Sequence, residues 1–193
     1  NIKSLGFASD NLLGPNTCDD GLIKNLIEEC DYYKIESVLL SRHQSTLELV
    51  KQIDYTKPKI IACSYFFDKS ELLLLKKIFK KLKIGISSNP KRFDKNYFQS
   101  VASLTNIFYY DLNIYEKDDI KTFSIYDCLD QINFLKRLKK PIYIGGGISH
   151  KNAKVVINNA HPHGLDISRS LKDGKNDLCE KKLNRLIQSL SVG

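Results

Sequence analysis

The chain has 193 residues and a mass of 22.1 kDa, the size of one ordinary domain or of the smallest α/β barrels. It is 42% hydrophobic and 27% charged, which is typical of a soluble globular protein, and it shows no long apolar run and no signal-peptide pattern. These features exclude a transmembrane span and an intact signal peptide. Thirty basic and 22 acidic residues give a net charge of +8, which fits either a solvated lysine-rich surface or a site for an anion such as a phosphorylated metabolite.

Nucleic acid is a weaker candidate for the partner, because no recognisable nucleic-acid-binding motif accompanies the charge. The five cysteines are odd in number and form neither a CxxC pair nor a Cys/His zinc spacing. We therefore expect reduced thiols, no metal and a cytoplasmic location. The cysteines are Cys18, Cys30, Cys63, Cys128 and Cys179.

Short β-branched runs alternate with amphipathic stretches along the whole chain. Seven strands are predicted, at residues 4–8, 35–40, 59–63, 84–87, 107–111, 141–144 and 164–167. The spacing predicts helices between and after them, at about residues 19–30, 45–57, 70–82, 94–102, 124–138, 149–159 and 177–190. Three residues are predicted to cap helices at their N-termini: Asp19, Ser45 and Ser149.

Strictly alternating strands and helices predict parallel pairing, because parallel strands need a crossover connection. An open doubly wound sheet and a closed (β/α)8 TIM barrel both satisfy this pattern, but no dinucleotide-type glycine loop follows the first strand. A barrel needs eight strands, and the chain begins at Asn1 and contains no Met. We therefore expect an α/β fold with a single TIM-barrel domain over residues 1–193, in which strands 2 to 8 are visible and strand 1 lies upstream of residue 1.

Two loops are candidates for phosphate binding. Gly145, Gly146 and Gly147 follow the strand at 141–144, and glycines let backbone N–H groups approach an anion closely. Ser168, Arg169 and Ser170 follow the last strand and offer hydroxyl and guanidinium donors. Barrels often hold phosphate between the loops after their seventh and eighth strands, so the two loops together predict a phosphate site.

The same region resembles phosphoribosylanthranilate isomerases. Residues 140–153, KPIYIGGGISHKNA, resemble the family's KP-xxx-AGG-L-xx-ENV segment, and residues 162–170, PHGLDISRS, resemble its P-x-GVD-V-SSG segment. Residues 121–123 echo the family's GKTFDW stretch, and 5–7 with 14–15 echo its second strand and loop. The resemblance is specific over about residues 121–190 and weaker, but in register, before them.

The resemblance implies a ribulose-phosphate-binding TIM barrel that carries out the Amadori rearrangement of N-(5-phosphoribosyl)anthranilate in tryptophan biosynthesis, without a cofactor. Ring opening needs a general acid and the next step a base at C2. Asp111, at the end of the strand at 107–111, matches the family's acid, and Asp166 matches an aspartate near its substrate.

The chain departs from the family in three places. The family's base is a cysteine in a strand-1 motif that this chain lacks, and Cys63 is better explained as a small buried side chain. The family's arginine that clamps the anthranilate carboxylate has no direct match, so Arg42 and Arg169 are candidate replacements. His43 is a candidate catalytic residue or a plain loop histidine, and residues 118–120 replace the family's Gly-Thr-Gly.

Two alternatives therefore stay open. One is a degenerate barrel that binds a sugar phosphate without isomerising it; the other is a different phosphate-binding barrel enzyme. In each case we expect a small phosphorylated metabolite as the partner, no nucleic acid, no membrane, and a monomer or homodimer.

Overall fold

The structure is a computed structural model. It describes residues 2–12, 17–42, 45–64, 67–116, 119–174 and 177–191. The chain forms two compact units. The first comprises Asn1–Ser87 with Ser100–Asn106, and the second comprises Ser88–Gln99 with Ile107–Gly193.

The first unit contains parallel strands, each followed by a helix. Strands β1, β2, β3 and β4 pair in that order, and the register joins Phe7 to Leu39, Leu39 to Ile61 and Ile61 to Ile84. The strands are β1 (Ser4–Ala8), β2 (Glu36–Leu40), β3 (Ile60–Ser64) and β4 (Lys83–Ser88). The helices are α1 (Asp20–Tyr32), α2 (Thr46–Thr56) and α3 (Lys69–Ile78).

The second unit has three parallel strands and a separate antiparallel hairpin. Its strands are β5 (Ile107–Asp111), β6 (Asn113–Glu116), β7 (Asp119–Thr122), β8 (Ile142–Gly145) and β9 (Gly164–Leu165). β8 lies between β5 and β9 and is parallel to both, whereas β6 and β7 pair only with each other. The helices are α4 (Lys95–Val101), whose last two residues fall in the first unit, α5 (Ile125–Arg137), α6 (Ala153–Ala160) and α7 (Glu180–Ser191).

The predicted alternation of seven strands with seven helices is confirmed. Two of the predicted caps are confirmed as well: the side chains of Asp19 and Ser45 each accept a backbone N–H from the first turn of their helix. Ser124, which was not predicted as a cap, accepts the N–H of Tyr126 in the same way. Helix α3 begins one residue earlier than predicted, because Asp68 and Glu71 form a capping box.

The end of α3 was predicted wrongly. The helix ends at Ile78 rather than near Leu82, and Phe79 leaves the helical conformation. The N–H of Leu82 then donates to the carbonyl of Phe79, and the Leu82 side chain is buried just before β4. The apolar periodicity that predicted a helix extends to Leu82 because this leucine is buried in the turn before β4. A buried leucine in a turn has the same sequence signal as one on the buried face of a helix.

The core of both units consists of the inward faces of strands and helices. In α1 the buried residues are Ile23, Ile27 and Cys30, whereas Leu22 is 46% exposed. Cys63, at the end of β3, is fully buried, and burial raises the pKa of its thiol to about 12. It is thus a small core side chain, as predicted. Within the described residues, no helix is both long and apolar enough to cross a membrane.

Candidate active site

The centre of the candidate site is the carboxyl end of β5 and the glycine loop beside it. Asp111 is the last residue of β5 and is paired in register with Gly145, the last residue of β8. The N–H of Leu112 donates to the carbonyl of Gly145 at 2.9 Å. The carboxylate of Asp111 is half-buried, and its Oδ1 accepts the backbone N–H of Asn113 at 2.8 Å. The structure therefore brings the predicted acid and the predicted glycine loop together.

Gly146 allows this close approach. Its φ is +88°, and a Cβ at this position would lie 2.2 Å from Oδ1 of Asp111 and 2.6 Å from the backbone nitrogens of Leu112 and Asn113. Gly147 also has a positive φ, of +66°. A side chain at Gly146 would collide with the backbone as well as strain its own, so the loop requires glycine there.

The loop also presents backbone donors. The N–H groups of Gly146, Gly147 and Ile148 have no acceptor among the described residues. Successive N–H groups near a positive-φ glycine form a concavity suited to an anion. These groups lie where the three glycines predict phosphate donors, and that role stays a prediction.

The helix after this loop begins later than predicted. Ser149 does not cap it: residues 149–152 form a turn and α6 begins at Ala153. The carbonyl of Ser149 accepts the N–H groups of Asn152 and Ala153, and the Asn152 side chain binds the N–H of Ser149 at 2.8 Å and the carbonyl of Gly147 at 3.1 Å. Asn152 therefore fixes the shape of the loop, and the donors left for an anion belong to the glycines and Ile148 rather than to the first turn of α6.

Asp166 lies on the other side of the loop. It directly follows β9, which has only two residues, and its N–H donates to the carbonyl of Ile144 at 2.8 Å. A Cβ on Gly145 would lie 3.5 Å from Oδ2 of Asp166, so the carboxylate packs against the glycine. The side chain keeps access to solvent, yet the surrounding protein partly desolvates the carboxylate and raises its pKa.

The three residues after Asp166 and Ile167 are placed differently from one another. Ser170 donates its hydroxyl to the carbonyl of Ile148 at 2.5 Å, which ties this segment to the glycine loop. Ser168 and Arg169 are exposed. The hydroxyl proton of Ser170 is therefore engaged within the protein, while the side chains of Ser168 and Arg169 lie at the surface.

Arg42, the candidate carboxylate clamp, belongs to the first unit. It follows β2 by two residues, its side chain is exposed, and its backbone N–H donates to Oδ1 of Asn11 at 3.0 Å. Its role stays a prediction. His43 and Asp118 lie outside the described residues, and so do Gly14 and Pro15 of the family resemblance. Where the structure describes the chain, no three His, Cys, Asp or Glu side chains gather in a way that could hold a metal ion.

The β6–β7 hairpin was missed by the sequence analysis. Two of its residues face the site: Asn113 begins β6 next to Asp111, and Thr122 ends β7 with its Cγ2 3.0 Å from the position of a Cβ on Gly147. The hydroxyl of Thr122 donates to Oδ1 of Asn113 at 2.7 Å. The available signal was a pair of four-residue runs, 113–116 and 119–122, separated by two polar residues, which is a hairpin pattern.

Comparisons with known proteins give matches only in structure. No protein-family model matches the chain, and no curated protein matches its sequence. Among solved structures, N-(5'-phosphoribosyl)anthranilate isomerase from Pyrococcus furiosus is similar with a TM-score of 0.76 and 17% identity, over 98% of this chain and 88% of that one. The phosphoribosyl anthranilate isomerase from Thermococcus kodakaraensis gives 0.75 and 14%, over 99% and 89%.

A different enzyme is similar too. The 3-keto-L-gulonate-6-phosphate decarboxylase from Vibrio cholerae has a TM-score of 0.69 and 12% identity, over 96% of this chain and 85% of that one. The likeness to these structures establishes the architecture. The chain therefore has the (β/α)8 TIM-barrel fold of solved phosphoribosylanthranilate isomerases, and the resemblance indicated by its sequence is confirmed at the level of the fold.

Proposed function

We propose that this chain is an isomerase of the phosphoribosylanthranilate type, which rearranges an aminoaldose phosphate to the corresponding aminoketose phosphate. The observation that carries the proposal is the contact between Asp111 and Gly146, which sets a half-buried carboxyl group beside a loop whose backbone donors have no acceptor among the described residues. A general acid must lie within hydrogen-bond reach of the atom it protonates, so an acid next to a phosphate cradle fits a small sugar phosphate.

In this reaction Asp111 is the general acid. It gives a proton to the ring oxygen while the bond between C1 and that oxygen breaks, and the nitrogen lone pair forms an iminium ion at C1. A base then removes the proton from C2, and the resulting enaminol gains a proton at C1 while its C2 hydroxyl loses one, which gives the ketone at C2 and returns a proton to the acid. Oxidation at C2 balances reduction at C1 within one molecule, so the reaction needs no external electron carrier.

The phosphate is held by the glycine loop. The N–H groups of Gly146 and Gly147 supply neutral donors, and the exposed Ser168 and Arg169 supply a hydroxyl and a positive charge. Asp166 packs against Gly145, and the raised pKa of its carboxyl lowers the cost of placing it near a dianion.

The test uses purified protein and complementation of a tryptophan auxotroph. We expect the protein to isomerise N-(5-phosphoribosyl)anthranilate, and Asp111→Asn to lower kcat by about 10²-fold or more while phosphate binding persists, because the acid is lost without a change of shape. Asp130→Asn, an exposed aspartate on α5, is the matched control. Undiminished turnover by Asp111→Asn would remove Asp111 from the mechanism.

A second candidate is a barrel that binds a sugar phosphate and carries out other chemistry, or none. It is favoured by the likeness to a sugar-phosphate decarboxylase. A protein that binds ribulose 5-phosphate in calorimetry but does not turn over the anthranilate substrate would support it. A screen of sugar phosphates would then separate a different enzyme from a binding protein.

A further inference from the structure

Asn113 is a buried amide beside the candidate acid, with no role assigned to it so far. The residue is 4% exposed. Its backbone N–H donates to Oδ1 of Asp111, and its side-chain oxygen accepts the hydroxyl of Thr122. The same oxygen would lie 3.6 Å from a Cβ on Gly147. Asn113 thus contacts the acid, the hairpin and the glycine loop at once.

The nitrogen of this amide has a different status from the oxygen. Nδ2 has no acceptor among the described residues. Among the same residues, every side-chain nitrogen or oxygen that is sealed from water does have a hydrogen-bond partner. Nδ2 therefore keeps a small opening to solvent although the residue is almost wholly buried. Because Thr122 fixes the oxygen, the planar amide also fixes the direction of its two N–H donors.

We infer that Asn113 is a ligand-binding residue, whose Nδ2 donates a hydrogen bond to a hydroxyl or carbonyl oxygen of the sugar chain of a sugar phosphate. The inference rests on the proposed function, because that function supplies the sugar phosphate. In it the glycine loop holds the phosphate and Asp111 acts at the ring, and Asn113 lies against both. A single neutral amide donor suits a neutral oxygen, whereas a phosphate dianion is bound by charged groups or several N–H groups.

The discriminating variant is Asn113→Asp. It keeps the backbone N–H and an oxygen that can accept the hydroxyl of Thr122, removes the two amide donors and adds one negative charge. The probes are ribulose 5-phosphate and inorganic phosphate, both measured by calorimetry. The added negative charge lowers the affinity of the protein for both probes, so the informative quantity is the ratio of the two affinities. We expect the preference for the sugar phosphate over phosphate to fall about tenfold, the effect of one lost hydrogen bond.

Asn152→Asp is the charge-matched control. Asn152 lies on the same glycine loop, and its Nδ2 already donates to the carbonyl of Gly147. We expect this variant to weaken both probes and to leave their ratio unchanged. Thermal melting checks that each variant is folded. If Asn113→Asp does not fold, Asn113→Ser, whose hydroxyl is too short to replace the amide, is expected to show the same loss of preference.

The outcomes separate this inference from the proposed function. An unchanged ratio in a folded Asn113 variant, with wild type binding both probes, would overturn the inference and leave the isomerase proposal standing. A lost preference in a protein that does not isomerise the anthranilate substrate would support the role of Asn113 and overturn the isomerase proposal. Wild type that binds neither probe would overturn both.

Discussion

The polar groups at the carboxyl ends of the strands are arranged differently in the two units. In the first unit, Ser9 follows β1 and Ser41 follows β2, and both are buried. Gln52 of α2 joins them, because its Nε2 donates to Ser9 at 2.8 Å and to Asp20 at 2.6 Å, while its oxygen accepts from Ser41 at 2.7 Å. In this unit the side chains bind one another.

The second unit leaves donors unpaired at the corresponding ends. The glycine-loop N–H groups and the amide of Asn113 have no acceptors among the described residues. Gly147 is exposed and Gly146 half-buried, so a ligand could reach the N–H groups of this loop from solvent. The comparison indicates a structural role for the network around Gln52, and it agrees with the ligand-binding role proposed for the loop beside Asp111.

The substitution with the largest expected effect on the proposed ligand-binding loop is Gly146→Ala. The new Cβ would meet the backbone nitrogens of Leu112 and Asn113 at 2.6 Å, and the backbone of alanine at φ +88° is strained. We expect turnover or sugar-phosphate affinity to fall about 10²-fold, because Asp111 or the loop must move. Strain alone costs about 1–2 kcal/mol in the free energy of unfolding. Enzyme kinetics, calorimetry and urea unfolding measure these effects.

Gly174→Ala is the matched control, because a Cβ there would have no neighbour within 4 Å. We expect its stability to stay within about 0.5 kcal/mol of wild type. The loss of stability in Gly147→Ala should be intermediate between those of Gly146→Ala and Gly174→Ala, since the nearest atom to its Cβ is a side-chain methyl of Thr122 at 3.0 Å. Wild-type activity and affinity in Gly146→Ala would contradict the site geometry.

The structural side is tested by Gln52→Ala. The change leaves Ser9 and Ser41 buried without their shared partner, so we expect the free energy of unfolding to fall by about 2 kcal/mol. The affinity for phosphate should be unaffected, because the phosphate donors belong to the second unit. Gln188→Ala on the exposed side of α7 is the control, with an expected change within about 0.5 kcal/mol. An equal effect of both substitutions would show that the network contributes nothing.

The fold was predictable because strands and helices alternate regularly along the chain, and each has its own apolar periodicity. Strands such as Ile107–Asp111 and helices such as Ile125–Arg137 were found to within a residue or two, since apolar spacing and capping residues mark them directly. The β6–β7 hairpin was not, because its strands have four residues each and interrupt an otherwise strict alternation. Short elements carry few periodic positions, and the alternation biased the interpretation toward a loop.

The candidate site was predictable in part for a related reason. Asp111 and the glycines stand at strand ends, where parallel α/β folds place their sites, so position and residue type sufficed. Asn113 could not be found in this way, because its importance comes from contacts with Thr122 and Gly147, which are distant in sequence. Likewise, Ser149 resembles a helix cap in sequence, but Asn152 binds the N–H of Ser149 and delays the helix.

The smallest expected effect concerns Asp166, whose side chain remains accessible to solvent. Its pKa is raised above the ordinary value of 3.8 by partial desolvation, so the folded state holds the proton more tightly than the unfolded state. Below pH 3.8 the carboxyl group of Asp166 is protonated in both states. As the pH rises through the raised pKa, the folded protein loses the stability that this proton provided.

The Asp166→Asn variant has a side chain that stays neutral at every pH. We therefore expect it to unfold at a slightly higher urea concentration than wild type at pH 7.5, and the difference to vanish toward pH 3.8. A difference equal at both pH values would mean that the substitution acts through packing against Gly145 rather than through the desolvated charge. That charge is the one a bound phosphate would have to tolerate.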